Sequence, residues 1–348
     1  MNPYVLTILL SSLGLGTTLT FASSHWLLAW MGLEINTLAI IPLMAQHHHP
    51  RAVEATTKYF LTQATAAATI LFASTTNAWM LGEWSITHLS HPAATTLATM
   101  ALALKVGLAP LHFWMPEVLQ GLDLTTGLIM STWQKLAPFA LLIQTAHTIN
   151  PTVLTSLGVA STLIGGWGGL NQTQLRKILA YSSIAHLGWM VIIIQFAPQL
   201  TILTLGLYIV MTSAAFLTFK ATMTTKINTL ALTWSKGPTI ATTTALVLLS
   251  LGGLPPLTGF MPKWLILQEL SKQGLPLIAT LAALSALLSL YFYLRLCYAM
   301  TLTISPNTNN SSAPWRLAHT QNLFPLVIST TATLTLLPLA PAIVALTH

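Results

Sequence analysis

Three ionisable side chains lie inside apolar stretches, each long enough to cross a bilayer: Glu34 in residues 25–45, Lys105 in 94–116 and Lys135 in 124–146. A span needs about 20 apolar residues, so each charge falls near the middle of the membrane. Burying one there costs roughly 2.5–3.5 kcal/mol on an insertion scale. A folded chain carries that cost where the charges face a polar interior or each other. One acid and two lysines so placed read as an ion path, and first as a proton path. A carboxylate that moves toward or away from a buried amine changes how firmly the lysine holds its proton. Glu34 and Lys105 therefore suit a switch, or else a structural ion pair joining two helices. Lys135 has no acid in its own stretch and reads as a relay.

The sequence beside Lys105 recurs. Residues 107–116, GLAPLHFWMP, and residues 253–262, GLPPLTGFMP, lie 146 positions apart and share six of ten residues. Both interrupt apolar spans. Pro110 cannot donate to the Val106 carbonyl, and Pro255 and Pro256 cannot donate to those of Leu251 and Gly252. Gly107, Gly252 and Gly253 add backbone freedom. Carbonyls freed this way are tolerated in a bilayer only where protein or a water-filled cavity meets them. Paired broken helices in an inverted repeat point to a transporter's ion site. Glu117 follows the first copy and Lys263 the second.

The elements that must hold these residues are membrane helices. Of 348 residues, 54% are hydrophobic and 5% charged, with a mean hydropathy of +0.72. Soluble domains run near ~25% charged. We expect an all-α integral membrane protein of about eleven transmembrane helices, over 3–22, 25–45, 57–80, 94–116, 124–146, 151–170, 176–196, 200–222, 239–268, 275–303 and 323–345. These form one polytopic domain, 1–348. Its antiporter-like inverted repeat of five-helix units has a first half over about 1–146 and a second over about 151–303, and a C-terminal helix follows over 323–345. The two breaks fall in the fourth and ninth spans, and the odd separation turns one half over.

Counting alternate connections puts Arg51, Lys58, Arg176, Lys177, Lys226, Lys236 and Arg316 on one side and Lys272 alone on the other. The cation-rich side is then cytoplasm or mitochondrial matrix, and the N-terminus starts there. The same bias accounts for the net charge of +7 without nucleic acid, for which no basic helix face exists. No Rossmann fingerprint or P-loop is present. The single cysteine, Cys297, excludes an internal disulfide framework, an iron–sulfur cluster and a zinc site built on cysteines. The first stretch has neither a basic n-region nor a small-residue cleavage site, and it is expected to stay in the protein.

The stretches KVGLAPLHFWMPEV (105–118), LAYSSIAHLGWM (179–190) and GGLPPLTGFMPKW (252–264) resemble the antiporter-like proton-translocating subunits of respiratory NADH dehydrogenase, complex I. The likeness covers essentially the whole chain, in the animal form that lacks the first three helices of bacterial relatives. It implies a core membrane-arm subunit that translocates protons across the mitochondrial inner membrane, coupled to electron transfer from NADH to ubiquinone in other subunits. It makes Glu34 and Lys105 a coupled switch, Lys135 the bridging lysine and Lys263 the lysine past the second break. By the same likeness NAD, FMN, iron–sulfur clusters and ubiquinone work in other subunits. This chain binds none of them, and a structural lipid such as cardiolipin suits it. The implied partners are subunit 4, the small membrane subunits toward the quinone site, and accessory subunits. The N-terminus is then in the matrix and the C-terminus in the intermembrane space. Two rivals stay open: a free-standing cation/proton antiporter, for which one midplane acid is a poor sodium site, and a structural spacer with no proton path.

Other residues carry two readings each. His112 and His186 either pass protons or are neutral histidines bonded to helix carbonyls. Lys263 either relays or snorkels to an interface. Glu117 and Asp123 flank a turn, as a proton entrance or as ordinary helix-boundary carboxylates; Glu83 and Glu269 sit near opposite-side ends. Lys220 and Arg295 suit snorkelling. His47, His48 and His49 read as a solvated loop, because consecutive residues cannot all face one metal on regular structure. No metal site is expected.

Overall fold

The computed structural model describes residues 2–46, 48–302 and 323–347. His47, Arg316 and the side chain of Lys236, which entered the expectations above, lie outside that description. The helices in chain order are α1 (Pro3–Ala22), α2 (Trp26–Met44), α3 (Pro50–Leu81), α4 (Pro92–Val106), α5 (Trp114–Gly121), α6 (Leu124–Ser131), α7 (Trp133–Thr145), α8 (Pro151–Gly169), α9 (Leu175–Ile193), α10 (Pro198–Thr222), α11 (Ile227–Ala231), α12 (Thr233–Lys236), α13 (Pro238–Gly252), α14 (Phe260–Lys272), α15 (Pro276–Thr301), α16 (Phe324–Thr335) and α17 (Ala340–Thr347). Among the described residues β pairing is confined to two isolated bridges. Pro3, Pro50, Pro92, Pro151, Pro198, Pro238 and Pro276 each open a helix, where a missing N–H costs nothing.

Among the described residues α1, α2, α10 and α15 are each long and apolar enough to cross a membrane, and α4, α13 and α16 are shorter apolar helices. Two of the long apolar stretches are divided as expected, by breaks over 107–113 and 253–259. A third division was not expected: α6 ends at Ser131 and α7 begins at Trp133, with Thr132 between them at φ −111° and ψ −68°. The 32 residues of α3 extend about 48 Å at helical rise, well beyond a hydrocarbon core of about 30 Å. Lys58 therefore belongs to a helix and not to a connection, as do Arg51 and Glu54.

The chain divides into two compact units, Met1–Gly158 and Val159–His348. In the first, α1 and α2 approach at two glycines. A Cβ on Gly32 would meet Thr20 Cγ2 at 2.7 Å and the Gly16 carbonyl at 2.9 Å, the small-residue contact that lets membrane helices touch by their backbones. The connection before α2 pairs with the one before α4: Trp26 N–H donates to the Trp84 carbonyl and Ile86 N–H to the Ser24 carbonyl, both at 3.0 Å. In the second unit the connections before α9 and α11 pair in the same way, through Leu175 N–H on the Thr225 carbonyl and Ile227 N–H on the Thr173 carbonyl. Trp189, Ile192, Ile193, Ile266, Leu270 and Ala282 form a buried apolar cluster there. Arg295 Nη1 donates to the Leu170 carbonyl at 2.6 Å, just past the end of α8.

Gly32→Leu is expected to part α1 from α2 and sharply lower the amount of assembled protein on native gels. Leu28→Ala, on the exposed face of α2, is expected to leave it unchanged.

Candidate functional site

Both expected breaks use one backbone device. α4 ends at Gly107, with φ +86°, and α13 at Gly253, with φ +81°. Glycine adopts this left-handed conformation without a Cβ clash. Gly107 and Leu108 N–H both donate to the Ala103 carbonyl at 2.9 Å. Gly253 N–H donates to Ser250 at 2.9 Å and Leu254 N–H to Leu249 at 3.3 Å. The Ala109–Pro110 and Pro255–Pro256 bonds that follow are both cis. Gly252, expected to lend freedom, is the last residue of α13 instead. Its role is room, since a Cβ there would meet Leu290 Cδ1 at 2.9 Å.

The freed carbonyls find different donors in the two units. Trp114 Nε1 donates to the Leu104 carbonyl at 3.0 Å. Lys263 Nζ donates to the Gly252 carbonyl at 2.7 Å. Lys263 thus turns back into the break rather than out to an interface.

In the first unit, Lys105 sits in the last turn of α4 and Lys135 in the first turn of α7. They are 5% and 2% exposed. Both line one cavity of about 10 Å³, with Asn36 and Thr37 from α2, Tyr59 and Gln63 from α3, and Gln134 from α7. That is room for about one water. Gln134 Nε2 donates to Asn36 Oδ1 at 3.3 Å across the cavity wall. Among the described residues Lys105 Nζ has no hydrogen-bond partner.

Glu34 is half-buried on α2, and its Oε2 accepts from Thr37 Oγ1 at 3.0 Å. Glu34 and Lys105 are not joined as a hydrogen-bonded pair. Glu34 meets a hydroxyl of its own helix instead. Its carboxylate stands one hydroxyl away from the cavity, because Thr37 lines it.

The paired histidines separate. His186 lines a second cavity of about 10 Å³ with Lys263, Tyr208 and Thr204, its ring 5.9 Å from that of Tyr208. His112 lies buried inside the first break, hydrogen-bonded to the Pro110 backbone and against the Phe113 ring at 4.4 Å. It is not among the residues that line the lysine cavity.

Glu117 is not an unpaired carboxylate. Lys58 Nζ stands 2.8 Å from Glu117 Oε2 and 2.8 Å from Glu54 Oε1. The Lys58 hydrogen bond and charge hold the Glu54 carboxyl below its ordinary value, so Glu54 stays ionised into mild acid. Glu54 was overlooked in the sequence, although its i,i+4 spacing to Lys58 was the signal. Asp123 is exposed at the start of α6, where its carbonyl, not its carboxylate, takes the Gly127 N–H at 2.8 Å. Tyr59, Gln63, Asn36 and Gln134 were also missed.

Residues 23–289 match the family described as NADH:quinone oxidoreductase/Mrp antiporter, TM. Residues 290–344 match the NADH dehydrogenase subunit 2 C-terminus. The chain is 80% identical over 347 residues to NADH-ubiquinone oxidoreductase chain 2 of Carassius auratus, covering 100% of both chains. To that of Danio rerio it is 73% identical, again over 100% of both. Among solved structures it resembles a chain of respiratory complex I from Thermus thermophilus with bound aureothin, at a TM-score of 0.85 and 29% identity, covering 99% of this chain and 80% of that one. A chain of the Mrp complex from Dietzia sp. DQ12-45-1b shares the fold, at a TM-score of 0.76 and 16% identity, covering 95% of this chain and 74% of that one.

Lys263→Met is expected to leave the Gly252 carbonyl without its donor and to cost about 1–3 kcal/mol. A lowered thermal midpoint of the purified assembly reads this out.

Proposed function

Because this chain belongs to the NADH-ubiquinone oxidoreductase chain 2 family, and so is a proton-translocating membrane-arm subunit of an NADH:ubiquinone oxidoreductase, we propose that its proton path is built on Glu34, Lys105 and Lys135 in the first unit and on Lys263 with His186 in the second. The observation that carries this reading is the small polar cavity shared by Lys105 and Lys135. An ammonium taken out of water without a partner costs several kcal/mol, and Lys105, whose Nζ has no hydrogen-bond partner among the described residues, shares its cavity with a second amine that can take its proton.

The chain's own residues supply the steps. Thr37 holds Glu34 away from Lys105. Rotation of the Glu34 side chain off that hydroxyl brings its negative charge closer and steadies a Lys105 ammonium. Return to Thr37 withdraws that support, and the proton passes through the cavity to the Lys135 amine. In the second unit Lys263 and His186 face one cavity and serve release or onward transfer. Glu117, Glu54 and Lys58 form a charged rim that gathers protons on the cation-rich side, with Asp123 nearby in sequence.

The remaining assignments belong to the same reading. The chain crosses the mitochondrial inner membrane about eleven times, with its N-terminus in the matrix and its C-terminus in the intermembrane space. Each backbone bridge joins two connections that strict up-and-down alternation puts at one end, His25 with Ser85 and Gln174 with Lys226. NAD, FMN, iron–sulfur clusters and ubiquinone act in other subunits, so this chain contributes no redox centre, and lipid such as cardiolipin packs on its surface. Subunit 4 and the small membrane subunits toward the quinone site are its neighbours, with accessory subunits around them.

Lys105→Ala is expected to assemble and reduce quinone while moving fewer protons per electron. The check is proton uptake against NADH oxidation in one vesicle preparation; an undiminished ratio would establish the spacer instead.

A further inference from the structure

We infer that Gln63 is a positioning residue for proton transfer, holding one water between Lys105 and Lys135. Gln63 lies on α3, 4% exposed, one helical turn beyond Tyr59. Residues at i and i+4 share a helix face, so both enter the wall of the lysine cavity. Gln63 Nε2 and Lys105 Nζ are buried, and among the described residues neither has a hydrogen-bond partner. Leaving a buried donor unmet costs about 1–3 kcal/mol. Both belong to the lining of a cavity of about 10 Å³, a volume that takes about one water.

A single water resolves this arrangement. Its two lone pairs accept from the Gln63 amide and from Lys105. Its protons are then left to point toward acceptors on the same wall, with a neutral Lys135 amine among them. The transfer balances. An N–H bond of the Lys105 ammonium breaks as an O–H bond forms on the water, while another O–H bond breaks and an N–H bond forms on Lys135. The water is regenerated, and one proton has moved without creating a separated charge. Gln63 suits the holding role because its amide does not titrate. It therefore keeps one donor aimed into the cavity through every state of the lysines.

This inference rests on the lysine path proposed above, and the test separates the two. In the complete enzyme, Gln63→Leu keeps the size of the side chain and removes the amide. Gln63→Asn keeps an amide, and Phe72→Leu, on an exposed part of α3, is the control. Gln63→Leu is expected to cut protons moved per electron at least threefold in assembled enzyme, with Gln63→Asn recovering part of the loss. Equal pumping by the Leu variant and the control, or equal loss in Leu and Asn, overturns the inference. If Lys105→Ala abolishes pumping while Gln63→Leu pumps normally, the lysine path stands and the water assignment falls. If Lys105→Ala pumps normally, the path itself is wrong. Should Gln63→Leu not assemble, a map of the unaltered enzyme at water-resolving detail decides. Density about 3 Å from both Gln63 Nε2 and Lys105 Nζ supports the inference, and a dry cavity overturns it.

Discussion

Hydrocarbon offers a polar group nothing, so a carbonyl freed by a helix break or a buried amine must be met by protein or by water in a cavity. Most of the site follows from that constraint. Gly107 and Gly253 end their helices in the same way, and each break then recruits a side chain to a bare carbonyl: Trp114 for Leu104 and Lys263 for Gly252. A helix's C-terminal carbonyls carry partial negative charge, which favours a cation there. Both units place a lysine amine at that end by different routes. Lys105 is part of the last turn of α4. Lys263 comes from beyond the break and folds back. The repeat conserves a location for an amine although its two copies carry no lysine at matching positions.

The same constraint explains why polar side chains line a space so narrow. Asn36, Thr37, Tyr59, Gln63 and Gln134 come from three helices and converge on one small cavity. The glycine contact between α1 and α2 seats α2 closely, and α2 carries Glu34, Asn36 and Thr37. Packing by backbone contact thus sets the position of the carboxylate.

Much of this was legible in the sequence. An acid or lysine within twenty apolar residues has few explanations, so Glu34, Lys105 and Lys135 stood out. The recurrence of GL-P and MP fixed both breaks to within a few residues. What stayed hidden was tertiary or conformational. Gln63 and Tyr59 are neutral polar residues in a long threonine-bearing helix, and nothing in their spacing says which face meets a lysine. The division at Thr132 involves no glycine or proline at the break, with Pro138 six residues on. Of two adjacent glycines, only the fold decides that Gly253 turns left-handed while Gly252 stays helical. Lys58 and Glu117 meet across 59 positions, a separation no local pattern reaches. Arg295 meets the Leu170 carbonyl across 125 positions, again beyond any local pattern.

The size of the lysine cavity also has an electrical consequence. A space of about 10 Å³ takes about one water, too little for a sodium or potassium ion together with part of its hydration shell. On the proposed path, bond exchange from one amine through a water to the next carries charge without moving any atom heavier than hydrogen through the gap. On that path a gap of this size passes protons while staying closed to hydrated sodium and potassium.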